Sequence, residues 1–552
     1  MSQNRILAMM LSVLAGLVLV VGGLSAVLLL SGGDDTAGGG DGTGTSTSIG
    51  GNPAEAASGR LRLGGSDPVT LDPHVAGDAG SAEYIVEIFS GLVTLTPDLE
   101  IVPDLAESFD VSPDGLTYTF TLRENAKFHT GRQVKAEDVK WSIERAASRQ
   151  LSSPTAIAYL GDIVGVREHF FGLAEGGIPG VEVVDERTVR ITIDAPKPYF
   201  LAKLTYPTAF VVDRQQVESN PRNWTRRPNG TGPFTLAEWR LGERIVLQAN
   251  RDYVLGAPKL SEVVYLLSGG SLLTRFENGE LDVAPVSIAD IERARDPNSN
   301  LGPFYQTSQE FSISYIAFNT NVPPFDDVHV RRAMGLAIDR KRIAEVTFSN
   351  MLAPATGILM PGMPGYLDDD LTLPFDPEAA KAELALSKYA DAMPPIVITE
   401  VGAGAEARTD TQAFLEQWRT ILGINVEVRQ TDFATFLADQ DAGRLQAFNA
   451  GWIMDYPDPE DILDLKFHSG SSLNDVAYAN PEVDNLLDRA RVEGDPAARL
   501  GLYQQAERLI VSEAAWLPLY FSLGHTVVQK EVIGWFDPPM VVPRLRFIEV
   551  SR

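Results

Sequence analysis

The densest grouping of chemistry-bearing side chains is Gly451-Trp452-Ile453-Met454-Asp455-Tyr456-Pro457-Asp458-Pro459, which sets two aromatics, an acidic pair and two prolines side by side. Proline fixes φ and removes a backbone donor, so such a loop is stiff. An indole or phenol face stacks on a ligand, and a sheltered carboxylate receives a cation, which together suit an ammonium group. The same residues equally suit a proline-shaped turn carrying a core tryptophan. From the residues alone both readings stand.

Other chemistries find no starting point. The six histidines, His74, His129, His169, His329, His468 and His525, include no pair at the i, i+4 spacing that puts two ligands on one helical face. The glycine-rich stretches lack a P-loop lysine, and no Gly-x-Ser-x-Gly elbow exposes a nucleophile. With no cysteine, thiolate metal sites, disulfides and thiol nucleophiles are excluded. Carboxylates are too abundant for any one pair to signal general acid/base work. No catalytic residue, metal or cofactor is expected.

The elements that must position the loop are mixed in type. Leu116, Tyr118, Phe120 and Leu122 alternate with polar neighbours, as do Val189, Ile191 and Ile193, and both runs read as half-buried strands. Helical spacing appears at Val330, Ala333, Met334 and Ala337, with Asp326 or Asp327 placed to cap it. A second helix runs through Phe414, Leu415, Trp418 and Leu422, stops near Gly423, and gives way to alternating Ile424, Val426 and Val428. A third fits Val483, Leu486, Leu487 and Ala490, and a fourth starts with Asp495 as N-cap and Pro496 in first position. Interleaved helices and strands imply an α/β body of several layers.

The chain has 552 residues, 44% hydrophobic and 22% charged, which is globular composition and long enough for at least two cores. Its 74 acidic against 46 basic residues repel phosphate backbones, so nucleic acid is an unfavourable partner. Ile6 to Leu30 carries no charge and is long enough to span a bilayer, with Arg5 before it and Asp34 and Asp35 after it. The positive-inside tendency then places everything downstream outside the cytoplasm. A retained anchor over 1–30 is expected, with cleavage at Ser31-Gly32-Gly33 as the alternative. Residues 31–58 are nearly all Gly, Ser, Thr, Asp and Ala, a flexible tether.

From about Leu61 onward the chain resembles the peptide, oligopeptide and nickel class of extracytoplasmic solute-binding proteins, family 5. The resemblance rests on an ordered series: Leu71-Asp72-Pro73-His74, Ile88-Phe89-Ser90-Gly91-Leu92, Pro103-Asp104-Leu105-Ala106-Glu107-Ser108, Ser112-Pro113-Asp114-Gly115-Leu116-Thr117-Tyr118-Thr119-Phe120, Phe128-His129-Thr130-Gly131 and Ala136-Glu137-Asp138-Val139. It continues with Gly230-Thr231-Gly232-Pro233-Phe234, Phe318-Asn319-Thr320, Val330-Arg331-Arg332-Ala333 and Ala337-Ile338-Asp339-Arg340.

This resemblance implies a two-lobed periplasmic-binding-protein-like fold of the large class, hinged about a ligand cleft. Lobe I would comprise 59–92, 208–318 and 518–552, the extra inserted domain 93–207, and lobe II 319–517. It further implies a monomeric receptor that gives a peptide-like ligand to the permease and ATPase subunits of an ABC importer. In peptide-binding relatives the aspartate of a Gly-Trp-x-x-Asp loop pairs with the ligand ammonium; Asp455 matches it and Trp452 matches a pocket-lining tryptophan. The expected ligand contacts are Gly451, Trp452, Met454, Asp455, Tyr456 and Ser81, with Phe318 and Asn319 at the hinge.

Departures from the family pattern narrow the ligand and the anchor. Dipeptide-binding members place an arginine before the Trp418 helix to clamp the ligand carboxylate, where Val401 to Ala407 here offers none and Arg408 has no assigned role. Leu30-Ser31-Gly32 is followed by Gly33, not by the lipid-modified cysteine of many members. Other readings on the same residues are a surface sensor, a receptor for a nickel complex or sugar, and an α/β hydrolase.

Overall fold

The computed structural model describes residues 59–552 apart from 175, 403–405 and 472. The anchor and tether read from the sequence lie outside the described residues. Among those described, no helix is long and apolar enough to cross a membrane.

The chain opens with strand β1 (Arg60–Gly64) and helix α1 (Ala79–Ile88). A short hairpin follows, β2 (Val93–Leu95) with β3 (Ile101–Pro103). Strands β4 (Ala106–Val111), β5 (Thr117–Leu122), β6 (Val181–Val183) and β7 (Thr188–Thr192) then make an antiparallel sheet in the order β4-β5-β7-β6, with helix α2 (Ala136–Ala146) between β5 and β6. The alternation read at Leu116 to Leu122 is real: Tyr118, Phe120 and Leu122 point into this sheet's own core beside Val189 and Ile191. Lys135 caps α2 with no side-chain bond, and Asp138 instead accepts the Lys135 backbone N–H at 2.9 Å.

The chain returns to β1 through β8 (Phe234–Arg240), β9 (Arg244–Ala249) and β10 (Glu262–Leu266), in the order β1-β10-β9-β8. Leu61, Leu63, Ile245, Leu247, Val263 and α1 close a separate core there.

The third sheet is the largest and is built around two long strands. Strand β11 (Val283–Pro285) precedes β12 (Tyr305–Phe318), and helix α3 (Val328–Leu336) follows, capped by Asp327, whose carboxylate accepts from the His329 N–H. Next come β13 (Leu352–Pro354), β14 (Ile396–Val401), helix α4 (Thr409–Leu422), β15 (Val426–Thr431) and β16 (Ala447–Ile453). Gly423 ends α4 at φ 70°, a left-handed position that costs glycine nothing. Trp418 on α4 donates its indole N–H to the Met334 carbonyl at 2.8 Å, tying α4 to α3. Helices α5 (Pro481–Val492) and α6 (Pro496–Glu513) lead into β17 (Trp516–Val528), and Asp495 caps α6 as the sequence suggests.

The order is β11-β17-β12-β16-β14-β15, with β13 also on β17. Phe311, Ile313, Tyr315 and Ala317 of β12 face one apolar cluster and Ile316 and Phe318 the other, the two-residue period of a strand buried on both sides.

Strands β12 and β17 pair from Tyr305 to Ala317, with register breaks between Gln309 and Ile313 and between Ser314 and Tyr315. Before the break the pair adjoins β11; after it, β16 joins on the other side of β12. Phe318 ends β12 and stacks on Phe325 with ring centres 4.3 Å apart, while Asn319 donates to the Gly443 and Leu445 carbonyls at 3.2 Å. Both residues are therefore enclosed by third-sheet packing, several residues downstream of the first register break.

Candidate ligand-binding site

Strand β16 delivers the proline loop. Its pairing with β12 sets Gly451 opposite Ser314, Trp452 opposite Ile313 and Ile453 opposite Ser312, and the Met454 N–H donates to the Phe311 carbonyl at 2.9 Å. The loop therefore leaves a central strand at a fixed position, next to the register break.

A cleft opens there, lined by four stretches distant in sequence. Ala79, Ala82 and Val86 share one face of α1, preceded by Gly77; Thr205, Tyr206 and Pro207 come from the end of the β4–β7 region; Ile453, Met454 and Asp455 from the loop; and Val541 from the C-terminal segment. The cleft encloses about 580 Å³ of unfilled space, open solvent included. Its lining is small and apolar apart from one hydroxyl, one phenol and one carboxylate, and contains no Lys, Arg or His.

Asp455 is half-buried, and no basic side chain among the described residues pairs with it. Its Oδ2 accepts the Tyr159 phenol O–H, and its backbone N–H donates to Asp461 Oδ2 at 2.9 Å. Tyr159 lies flat on Tyr206 at 3.8 Å between ring centres and meets Tyr456 edge-on at 6.1 Å. Burial raises the Asp455 carboxyl above the usual aspartate range, and the phenol bond opposes that rise. The arrangement is a carboxylate with one oxygen committed to a phenol, facing an apolar cleft.

Of the six expected ligand contacts, Met454 and Asp455 are among the residues lining this cleft, and Gly451, Trp452, Tyr456 and Ser81 are not. Gly451 is exposed in mid-strand. Trp452 is 6% exposed within the third-sheet core, its N–H on Asp461 Oδ2 at 3.3 Å and the Lys466 ammonium 4.8 Å from its ring centre. In this structure the ring packs as a core tryptophan. Tyr456 is 1% exposed in the core of the β4–β7 body and donates to Glu460. Ser81 is fully buried, its hydroxyl accepting from the Thr70 N–H at 3.3 Å, one residue along α1 from the lining Ala82. Arg408 donates to Asp410 at 3.3 Å and is not among the lining residues.

Sequence reading missed Tyr159, Tyr206, Val541 and the α1 face. The 79, 82, 86 spacing was the one available signal, since it is a helical stripe of small residues. Nothing local to Tyr159 points to a partner 296 positions away.

A cleft bordered by separately packed α/β bodies joined through long shared strands is the architecture of a two-lobed solute-binding protein. Residues 100–474 match the model of the bacterial extracellular solute-binding proteins, family 5 middle region. The chain belongs to that family. It is 29% identical over 495 residues to the dipeptide-binding protein DppE of Bacillus subtilis, covering 86% of this chain and 89% of that one. It is also 29% identical over 494 residues to the periplasmic oligopeptide-binding protein OppA of Escherichia coli, with the same coverages of 86% and 89%. Among solved structures, the murein tripeptide-binding protein MppA of Escherichia coli superposes with a TM-score of 0.75 at 26% identity, over 90% of this chain and 99% of that one. An oligopeptide-binding protein of Borrelia burgdorferi gives 0.76 at 27% identity, over 89% and 100%.

Proposed function

We propose that this chain is the substrate-binding receptor of an ABC importer that captures peptides outside the cytoplasm by their amino terminus and performs no chemistry on them. The observation that carries this reading is Asp455, a half-buried carboxylate in an apolar cleft with no basic partner among the described residues. A buried charge without a counterion is costly, and an arriving ammonium supplies one. The peptide ligands named for DppE, OppA and MppA support the substrate class. Because the lining holds no cationic side chain, the ligand's carboxyl end finds no clamp there. The receptor then recognises the amine end alone and leaves peptide length open.

On this reading lobe I (59–92, 208–318, 518–552) with its insertion (93–207) closes onto lobe II (319–517) about the junction at Phe318 and Asn319, and the β12–β17 register break a few residues upstream is a second place where the ribbon can bend. The N-terminal segment tethers the receptor to the membrane, and sequencing the mature N-terminus tests that: a start near Asp34 overturns a retained anchor. Peptide titration calorimetry of the receptor and of Asp455→Asn tests the site. The variant should bind ten- to hundredfold more weakly, about the 1.5–3 kcal/mol of a charge-assisted bond. Equal affinity refutes the assignment.

A further inference from the structure

The proline loop holds a second carboxylate with no basic partner, directly behind the first. Asp461 is fully buried. Its Oδ2 accepts two N–H bonds, from the Asp455 backbone at 2.9 Å and from the Trp452 indole at 3.3 Å. Its Oδ1 is buried and has no hydrogen-bond partner, and among the described residues no Lys, Arg or His lies within ion-pair reach. The groups facing it are Asp455 and Trp452 from its own loop, Glu460 beside it, and Tyr159 and Tyr206 from the β4–β7 body.

An ionised carboxylate offers about four acceptor sites and, when buried, calls for a cation. Asp461 fills two sites on one oxygen and none on the other. With no cation near and no donor at Oδ1, the neutral form, in which Oδ2 is the carbonyl oxygen taking both N–H groups and Oδ1 carries the proton, is the less costly one, because an unpartnered O–H is cheaper to bury than an unpartnered charge. Burial first, and then the negative charge of Asp455, push its pKa well above the aspartate range in the same sense.

We infer that Asp461 is a positioning residue for ligand capture, a neutral acid that pins the Asp455 backbone and the Trp452 ring so that Asp455 alone presents charge to the ligand. The inference rests on Asp455 being the amine anchor. Without the fork, the loop start loses the two bonds that orient Asp455, and its carboxylate turns toward water.

The test compares retention of a free-amine tripeptide library with that of the same library N-acetylated, read by native mass spectrometry on the purified receptor. The wild type should favour the free amines by about ten- to a hundredfold. Asp461→Leu, which fills the space and removes the fork, should cut that ratio below about threefold, and because it also orphans two N–H groups and lowers the thermal midpoint, the ratio is read well below that midpoint on folded receptor. Asp461→Ala serves the same purpose should the larger side chain prevent folding. Asp461→Asn, whose amide oxygen accepts the same two bonds without charge, should restore the ratio to within about threefold of wild type. A full ratio in both Asp461→Leu and Asp461→Ala overturns the positioning role. A ratio in Asp461→Asn as low as in Asp461→Leu overturns the neutral acid. If Asp455→Asn keeps the wild-type ratio, or the wild type shows no preference, the anchor reading itself fails, which is a separate result.

Discussion

The two halves of the proline loop treat their carboxylates in opposite ways. Beyond Tyr456, Asp458 is gripped by both terminal nitrogens of Arg499 at 2.6 and 2.8 Å, Glu460 lies 3.3 Å from the Lys203 ammonium, and Asp464 accepts from Arg491 at 2.7 Å. Before it, Asp455 has a phenol and no cation. The chain thus provides counterions for Asp458, Glu460 and Asp464, holds Asp461 by N–H groups alone, and leaves Asp455 at the cleft with no cation among the described residues. The Lys203 contact also reaches across to the β4–β7 body, where the same ammonium meets Asp162 at 3.1 Å. The cation-paired carboxylates and the proposed amine anchor are therefore adjacent on a single stiff segment.

Removing a counterion puts this contrast under the greatest load. Arg499→Leu leaves Asp458 buried and unpaired, and should cost about 3–5 kcal/mol in denaturant unfolding. A cost under about 1 kcal/mol would mean that the paired half is not structural. Asp455→Asn should show the reverse signature, with unfolding stability unchanged or slightly raised, since it neutralises a charge that the empty receptor does not compensate.

Acidity separates a third kind of buried carboxyl, held by N–H groups and not by cations. Glu87 Oε1 accepts from the Arg544 and Leu545 N–H groups at 2.8 and 2.9 Å, and Glu507 Oε1 from those of Ile358 and Leu359 at 2.7 and 2.8 Å. Burial pushes each up to about 7 despite those bonds. The folded state thus holds protons that the unfolded chain releases above about 4.5, so this stability is complete below that pH and is lost as pH rises through 7. Between pH 5 and 8 each should cost about 1–3 kcal/mol, and Glu87→Gln and Glu507→Gln should each flatten the decline in thermal midpoint.

His74 sets the acid side. It accepts from Arg145 at Nδ1 and donates from Nε2 to the Phe210 carbonyl, and burial, then the Arg145 charge, hold it down to about 4. Its contribution is present above 6.5 and disappears as pH falls through 4.

The smallest effect belongs to Trp452→Phe, which removes one indole bond and should weaken stability by about 1 kcal/mol. Affinity loss on the scale of Asp455→Asn would return Trp452 to the cleft wall.

The regular elements were legible in the sequence because their signals are local. Alternation marked β5 and β7, caps at Asp327 and Asp495 marked α3 and α6, and Gly423 marked the end of α4. The loop itself was legible as a special segment, and the family resemblance singled out Asp455 within it. The direction each neighbouring side chain takes was not, because that depends on strand register: β16 pairing with β12 sends Trp452 into the core and puts Ile453 toward the cleft. The Tyr159 and Tyr206 stack was hidden for the same reason, being made by packing between distant stretches.

The long pairing of β12 with β17 has a mechanical consequence. A ribbon paired from Tyr305 to Gln309 and again from Ile313 to Ala317 resembles a leaf spring whose weak point is the irregular step after Gln309. If the proposed lobe closure is taken up there, it spares the ladder on either side and draws little on the energy that holds each lobe together.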